Sequence, residues 1–191
     1  MAEQLQAPPT GDGPISEWHP NRRTLAAWYI LSIPIFVVAL AVYGMIAVRG
    51  EIPMQWTIDS TQIIVVLALT FGLAWVHEGV HGLAILAFGA TPSFGVLKIG
   101  VTLAGFYTTA PGHRFGRTQY LIICLAPLVL LAPLGVPACM LPFGAYLMVP
   151  FAILFTGCMG DVTIAWHVLR GPHDVLCEDL RDGLRLWRRE A

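Results

Sequence analysis

The sequence predicts an all-α integral membrane protein. It has four transmembrane helices, room for a short β-hairpin between spans two and three, and an interfacial helix at the C-terminus. Three observations carry this reading. The 191 residues are 56% hydrophobic and only 12% charged, with a mean hydropathy of +0.68, against roughly 25% charged residues in ordinary soluble domains. The apolar residues fall into four long runs, each near the ~20 residues a helix needs to cross the hydrocarbon core. The basic residues cluster around those runs in a one-sided pattern.

Taken in order, residues 1–24 form a leader whose Ala7, Pro8, Pro9, Gly11, Gly13 and Pro14 have turn and breaker chemistry and little to bury. Disorder is expected there. Span one, 25–48, is interrupted only by Ser32, Pro34 and Gly44. It exceeds the ~7–15 residues of a secretory h-region, and its leader carries Glu3, Asp12 and Glu17, so it reads as a retained span and not a cleaved signal. Span two covers 62–88. Span three, 120–141, carries Pro127, Pro133 and Pro137, and span four, 143–169, contains Asp161, with Pro142 and Gly144 marking the turn between them.

Between spans two and three, 93–109 is rich in Gly, Val, Thr, Phe and Tyr with Lys98 its single charge. This is strand composition, broken by glycines. A hairpin dipping toward the bundle, with an edge able to pair with an extended peptide, and a plain connecting loop both fit. His113 and Arg114 could meet a developing oxyanion or lipid headgroups; Arg117 adds to a basic interface and favours the second. In the tail, 170–191, Leu176, Leu180, Leu184 and Trp187 recur at helical spacing with Arg181, Arg185, Arg188 and Arg189 among them, the pattern of an amphipathic interfacial helix.

Of the eleven basic residues, only Arg49 falls on the far side of the predicted bundle; the other ten lie before span one, between spans two and three, or after span four. The positive-inside rule places that side, with both termini, in the cytoplasm. A multi-pass protein of the cell membrane is expected, with the lipid bilayer as one partner. The net charge of −1 and the lack of a basic groove interleaved with aromatics exclude a nucleic-acid module. Cys124, Cys139, Cys158 and Cys177 form no CxxC pair and suggest neither a disulfide framework nor a cysteine zinc site.

Chemistry concentrates in span two, where His77, Glu78, Gly79, Val80 and His81 read HExxH. Four residues advance a helix by 400°, so both imidazoles leave one face about 6 Å apart and can hold one metal ion. Glu78 flanks that face, where a general base takes a proton from a metal-activated water. The bare pattern also arises by chance, but ionisable residues cost roughly 2.5–3.5 kcal/mol each at the bilayer centre, so three in five residues need a function to retain them. A catalytic zinc takes a third protein ligand. Asp161 is the one acidic residue in any span besides Glu78. It lies about 12 Å from the end of its span and His81 about 10 Å from the end of span two, at 1.5 Å per residue. Asp161 is therefore the best third ligand, against the plainer alternatives of a helix-packing hydrogen bond or a protonated carboxyl; His167, six residues further on and turned about 240° away, is the competing ligand and ranks below it. Gly157 and Gly160 would allow another helix to approach closely, or serve packing alone.

HEGVH in a span, the loop residues Pro111, His113 and Arg114, the Ala126 and Pro127 pair, and the Gly160 and Asp161 pair resemble the small zincin peptidases of multi-pass membrane proteins. That group is similar to the site-2 protease group of intramembrane metalloproteases. The resemblance covers roughly 60–169. It implies Zn²⁺ held by His77, His81 and Asp161, with Glu78 as catalytic acid and base, in a 25–169 metalloprotease domain acting on membrane-protein or peptide substrates. The chain departs from the site-2 pattern in having no asparagine beyond Asn21 and in placing its aspartate after a glycine. Three other readings are a haem or electron-transfer protein using His81 and His167, a diiron enzyme for which six histidines supply too few placed ligands, and a catalytically inactive relative that binds membrane proteins.

Overall fold

The computed structural model describes residues 13–49, 59–99, 102–181 and 183–188, with the side chains of 97–99 and 102–104 left out. The elements run β1 (Ser16–Trp18), α1 (Arg22–Ala47), α2 (Ser60–Ala87), β2 (Ser93–Ile99), β3 (Thr102–Thr109), β4 (Arg114–Gly116), α3 (Arg117–Cys139), a 3₁₀ turn (Gly144–Tyr146), α4 (Met148–Gly157), α5 (Met159–Arg170), β5 (Val175–Leu180) and β6 (Gly183–Arg188). Four segments are long and apolar enough to cross a membrane: Arg22–Ala47, Ser60–Ala87, Arg117–Cys139 and Gly144–Arg170. They match the four expected spans to within a few residues at each end.

Helix starts follow local capping chemistry. Asn21 accepts from the Thr24 amide at 3.0 Å to begin α1. Asp59 and Gln62 form a reciprocal capping box at α2, with bonds of 2.8 and 3.2 Å; each cap satisfies amides that the first helical turn leaves without partners. In the bundle α1 packs on α4, α2 lies against both α3 and α4, and α3 packs on α5. The Tyr43 hydroxyl donates to the Ala132 carbonyl at 2.8 Å, and Trp28 Nε1 to Thr163 Oγ1 at 2.9 Å, tying α1 to α3 and α5.

The fourth crossing is not continuous, because α4 ends at Gly157 and α5 restarts at Met159 on either side of Cys158. A Cβ on Gly157 or Gly160 would meet nothing within 4 Å, so neither glycine admits a neighbouring helix; they sit at the break between the two helices. The turn before this crossing does require a glycine. A Cβ on Gly144 would stand 1.9 Å from the Cys139 carbonyl oxygen, and Gly144 N–H closes the turn on the Leu141 carbonyl at 2.8 Å.

The structure corrects the two ends of the chain. The leader was expected to be disordered through residue 24, but β1 pairs antiparallel with β6 and α1 begins at Arg22; residues 1–12 of that leader lie outside the described residues. The tail, expected as an interfacial helix, is the β5–β6 hairpin, paired from Val175 with Arg188 to Leu180 with Gly183. The fold is therefore mostly helical rather than all-α. The leucine spacing at 176, 180 and 184 fits a helix, but strand pairing satisfies charges that a helix would leave apart. Arg185 lies opposite both Glu17 and Glu178, bonding the first at 2.9 Å and reaching the second at 3.5 Å, and Trp187 Nε1 donates to Glu178 at 2.7 Å. Val175, Cys177, Leu184 and Leu186 are buried beneath.

Strand order in this sheet is β1-β6-β5-β4. Strand β1 before α1, strand β4 between α2 and α3, and strands β5 and β6 after α5 are therefore brought together in one sheet. Of the two readings the sequence left open between the second and third apolar runs, the hairpin is the one formed, by β2 and β3, antiparallel, with a register shift at Leu97 and Lys98.

Substituting Gly144→Ala should cost roughly 1–3 kcal/mol through overpacking, whereas Gly157→Ala and Gly160→Ala should leave steric packing undisturbed. Chemical denaturation of the purified variants in detergent checks both.

Candidate metal centre

The HExxH segment lies in the second half of α2, and one helical turn brings its two imidazoles together. Their ring centroids are 4.9 Å apart with planes at 76°, and the two Nε2 atoms are 3.2 Å apart. Asp161 enters from the first turn of α5. The break at Cys158 resets the helix here, and a carboxylate in a first turn is favoured by the amides there. Its Oδ2 lies 3.3 Å from His77 Nε2 and its Oδ1 3.4 Å from His81 Nε2.

These spacings suit a tetrahedral ion. Donor atoms ~2.0–2.1 Å from zinc at the tetrahedral angle are about 3.3–3.4 Å apart. Asp161 Oδ2 is, among the described residues, the one buried side-chain nitrogen or oxygen atom without a hydrogen-bond partner. An ionised oxygen left that way is costly, and a cation at the convergence of the three groups removes the cost. The donor set, two imidazoles and a carboxylate, fits a catalytic zinc in kind.

The second nitrogen of each imidazole is also placed. His81 Nδ1 is 2.8 Å from the Ile123 carbonyl. An oxygen of this type only accepts, so Nδ1 carries a proton, and Nε2 is the nitrogen left to face an ion. His77 Nδ1 faces Cys158 Sγ at 4.0 Å. Cys158, which sequence reasoning set aside for lack of a CxxC partner, lies with His77 and Asp161 in a group whose ligand atoms are all within 4.8 Å. Two donor sets are thus conceivable. The Nε2 set has the spacing of a tetrahedral ion, whereas Cys158 stands on the far nitrogen of His77 and points its sulfur at the Leu154 carbonyl at 3.4 Å. Cys158 is therefore a neighbour of the first set and not a member.

Glu78 Oε2 accepts from Thr108 Oγ1 at 2.7 Å, and the same hydroxyl reaches the Glu78 carbonyl at 3.1 Å. Strand β3 thereby orients the glutamate. Glu78, His81 and Asp161 line one cavity of about 270 Å³ together with Phe106–Thr109 of the hairpin and Trp18, Trp28 and Ile164. His167, the competing ligand, takes no part: its Nδ1 donates to the Thr163 carbonyl at 2.8 Å and its ring stacks on Trp18 at 4.2 Å. Arg114 lies over the Trp187 ring at 3.6 Å, and the His113 ring packs on Phe115, so both sit on the sheet.

A third carboxyl lines the same cavity and was not anticipated. Asp179 of β5 accepts from the Tyr120 hydroxyl at 2.7 Å, and its carbonyl accepts from Thr109 Oγ1 at 3.1 Å. Asp179 stands in the middle of a pattern that suggests an exposed helix face; only the hairpin turns it inward.

Fold and site together define a helical bundle with four candidate membrane spans that presents an HExxH helix and an acidic partner to a partly open cavity. The family described as "Putative zincin peptidase" matches residues 70–176, more than half of the chain, and the chain belongs to that family. No curated protein and no solved structure matches it.

Burial pushes the Asp179 carboxyl up from 3.8 to about 6, against the pull of its Tyr120 and Thr109 hydrogen bonds. Between these values the folded chain holds a proton that the unfolded chain has lost, so this group's contribution to stability is complete below pH 3.8 and is lost as pH rises through 6. Asp179→Asn, neutral throughout, should flatten that part of the profile in unfolding measurements from about pH 4 to 7.

Proposed function

We propose that the chain is a zinc-dependent peptidase that hydrolyses peptide bonds of membrane-associated proteins within or beside the bilayer. The observation that supports it most strongly is the mutual approach of His77 Nε2, His81 Nε2 and the Asp161 carboxylate at 3.2–3.4 Å, with the carboxylate oxygen that faces His77 buried and without a hydrogen-bond partner. His77, His81 and Asp161 are the ligands in this reading, and Glu78 is the general base. When bound, zinc supplies Lewis acidity that polarises a scissile carbonyl and acidifies a water.

The residues around it do the rest. Glu78 takes the proton from the attacking water and returns it to the leaving amine. The Thr108 hydroxyl bonded to Oε2 holds that carboxylate in one rotamer and leaves Oε1 to exchange the proton. An extended substrate segment pairs along β3, whose Phe106–Thr109 stretch lines the cavity; strand addition of this kind aligns a peptide bond with a fixed site by backbone hydrogen bonds. Aromatic walls exclude bulk water and strengthen each polar contact inside.

A membrane setting is supported by the outward faces of the helices. Large apolar side chains such as Ile30, Ile33, Ile64, Leu83 and Val129 are each more than 60% exposed, a surface suited to hydrocarbon and not to water. With basic residues gathered at the end that carries the four-stranded sheet, both termini face the cytoplasm, and cleavage takes place at or just within the inner leaflet.

Purified protein should carry one zinc per chain by elemental analysis. Glu78→Gln should retain that zinc and lose roughly 10²–10⁴-fold in cleavage rate. Comparing the proteomes of membranes holding wild type or Glu78→Gln names the substrate through fragments missing from the variant, and undiminished cleavage by the variant rules out this mechanism.

A further inference from the structure

The His81 imidazole is oriented by a carbonyl that an ordinary helix would not offer. Inside α3 the carbonyl of each residue accepts from the amide four residues on. Ile123 is four residues before Pro127, and proline has no amide hydrogen to donate. Pro127 therefore leaves the Ile123 carbonyl without its helical partner, and that carbonyl receives His81 Nδ1 at 2.8 Å. Pro127 is fully buried, so water is not the natural replacement.

The other helix-interior prolines sharpen the point. Pro34, Pro133 and Pro137 also lie inside helices and free the carbonyls of Ile30, Val129 and Pro133 by the same rule. Among the described residues, no side chain donates to any of those three, whereas the one freed by Pro127 takes the imidazole of the HExxH segment. A proline in a helix interior weakens it. At 127 that weakening has a specific recipient.

We infer that Pro127 is a positioning residue for the metal centre: by vacating the Ile123 carbonyl it holds His81 in the Nδ1–H tautomer and aims Nε2 at the ion. This rests on the proposed zinc site and adds to it the residue that selects the nitrogen. Such outer partners of metal-bound histidines fix ring orientation, and losing one weakens metal binding by about 10–100-fold.

Pro127→Ala restores an amide at position 127, which bonds Ile123 and competes with His81. Zinc should bind about 10–100-fold more weakly, measured by competition with a chromophoric chelator, although the helix itself gains a hydrogen bond and the metal-free protein should unfold at no lower temperature. A merely structural proline would show the opposite split, lower stability with unchanged affinity. Pro133→Ala, which restores an amide to a carbonyl no side chain uses, should leave zinc affinity unchanged. Affinity within twofold of wild type in Pro127→Ala, or an equal loss in Pro133→Ala, overturns the inference.

Should Pro127→Ala not fold, the wild type still decides. In metal-free protein labelled with ¹⁵N-histidine and held at a pH where the ring is neutral, the His81 resonance, assigned by its loss in His81→Asn, should show the Nδ1–H tautomer, and the Nε2–H tautomer overturns the inference. Wild type that takes up no zinc defeats the proposed function instead, and the tautomer measurement separates that failure from this one.

Discussion

A carboxylate and two imidazoles must meet inside a bundle whose remaining surface is apolar, and the rest of the structure answers to that requirement. Asp161 keeps one oxygen buried without a hydrogen-bond partner, 3.3 Å from His77, an arrangement that is unfavourable unless a cation joins it. Holding it in place takes a helix restarted at Met159, a turn of α2 that stacks the two histidines, and a carbonyl of α3 that fixes one of them. Each device departs from regular helix geometry or uses a polar group that a plain bundle would keep to itself.

The two ends of the bundle have different tasks. Positions within α2, α3 and α5 supply the groups of the candidate metal centre, while strands β1, β5 and β6 line the cavity near them. The family match begins in α2 and stops within β5, yet Trp18, Trp28 and Asp179 line the same cavity from outside it. The centre and part of its wall thus come from different portions of the chain, joined by short polar bonds: Thr108 to Glu78, Thr109 to the Asp179 carbonyl, and Tyr120 to the Asp179 carboxyl. Strand β3 is common to the first two of these bonds. A movement of the hairpin would be felt by Glu78 and Asp179 together.

The four long apolar helices, the tight turn at Gly144, and the pairing of His77 with His81 were legible along the chain because each depends on near neighbours: apolar run length, a missing side chain, one helical turn. Asp161 was legible more indirectly, from its depth in span four, and the contact with His81 at 3.4 Å agrees with that depth. The tail was misread because leucines at 176, 180 and 184 satisfy a helical period equally well. The deciding partners, Glu17 in β1 and Gly116 in β4, are distant in sequence. Local pattern cannot weigh a pairing that closes only when remote strands arrive.

Returning to HEGVH, the sequence by itself determined that two imidazoles and a glutamate share one helix, since 3.6 residues per turn leaves no other arrangement. Only the tertiary structure decided which nitrogen of His81 is free, that Cys158 stands beside His77 on its other nitrogen, that His167 is turned away, and that Asp179 enters the cavity. Those outcomes depend on what faces each side chain across the bundle, and that is set by how helices and strands pack, not by the spacing of residues along any one of them.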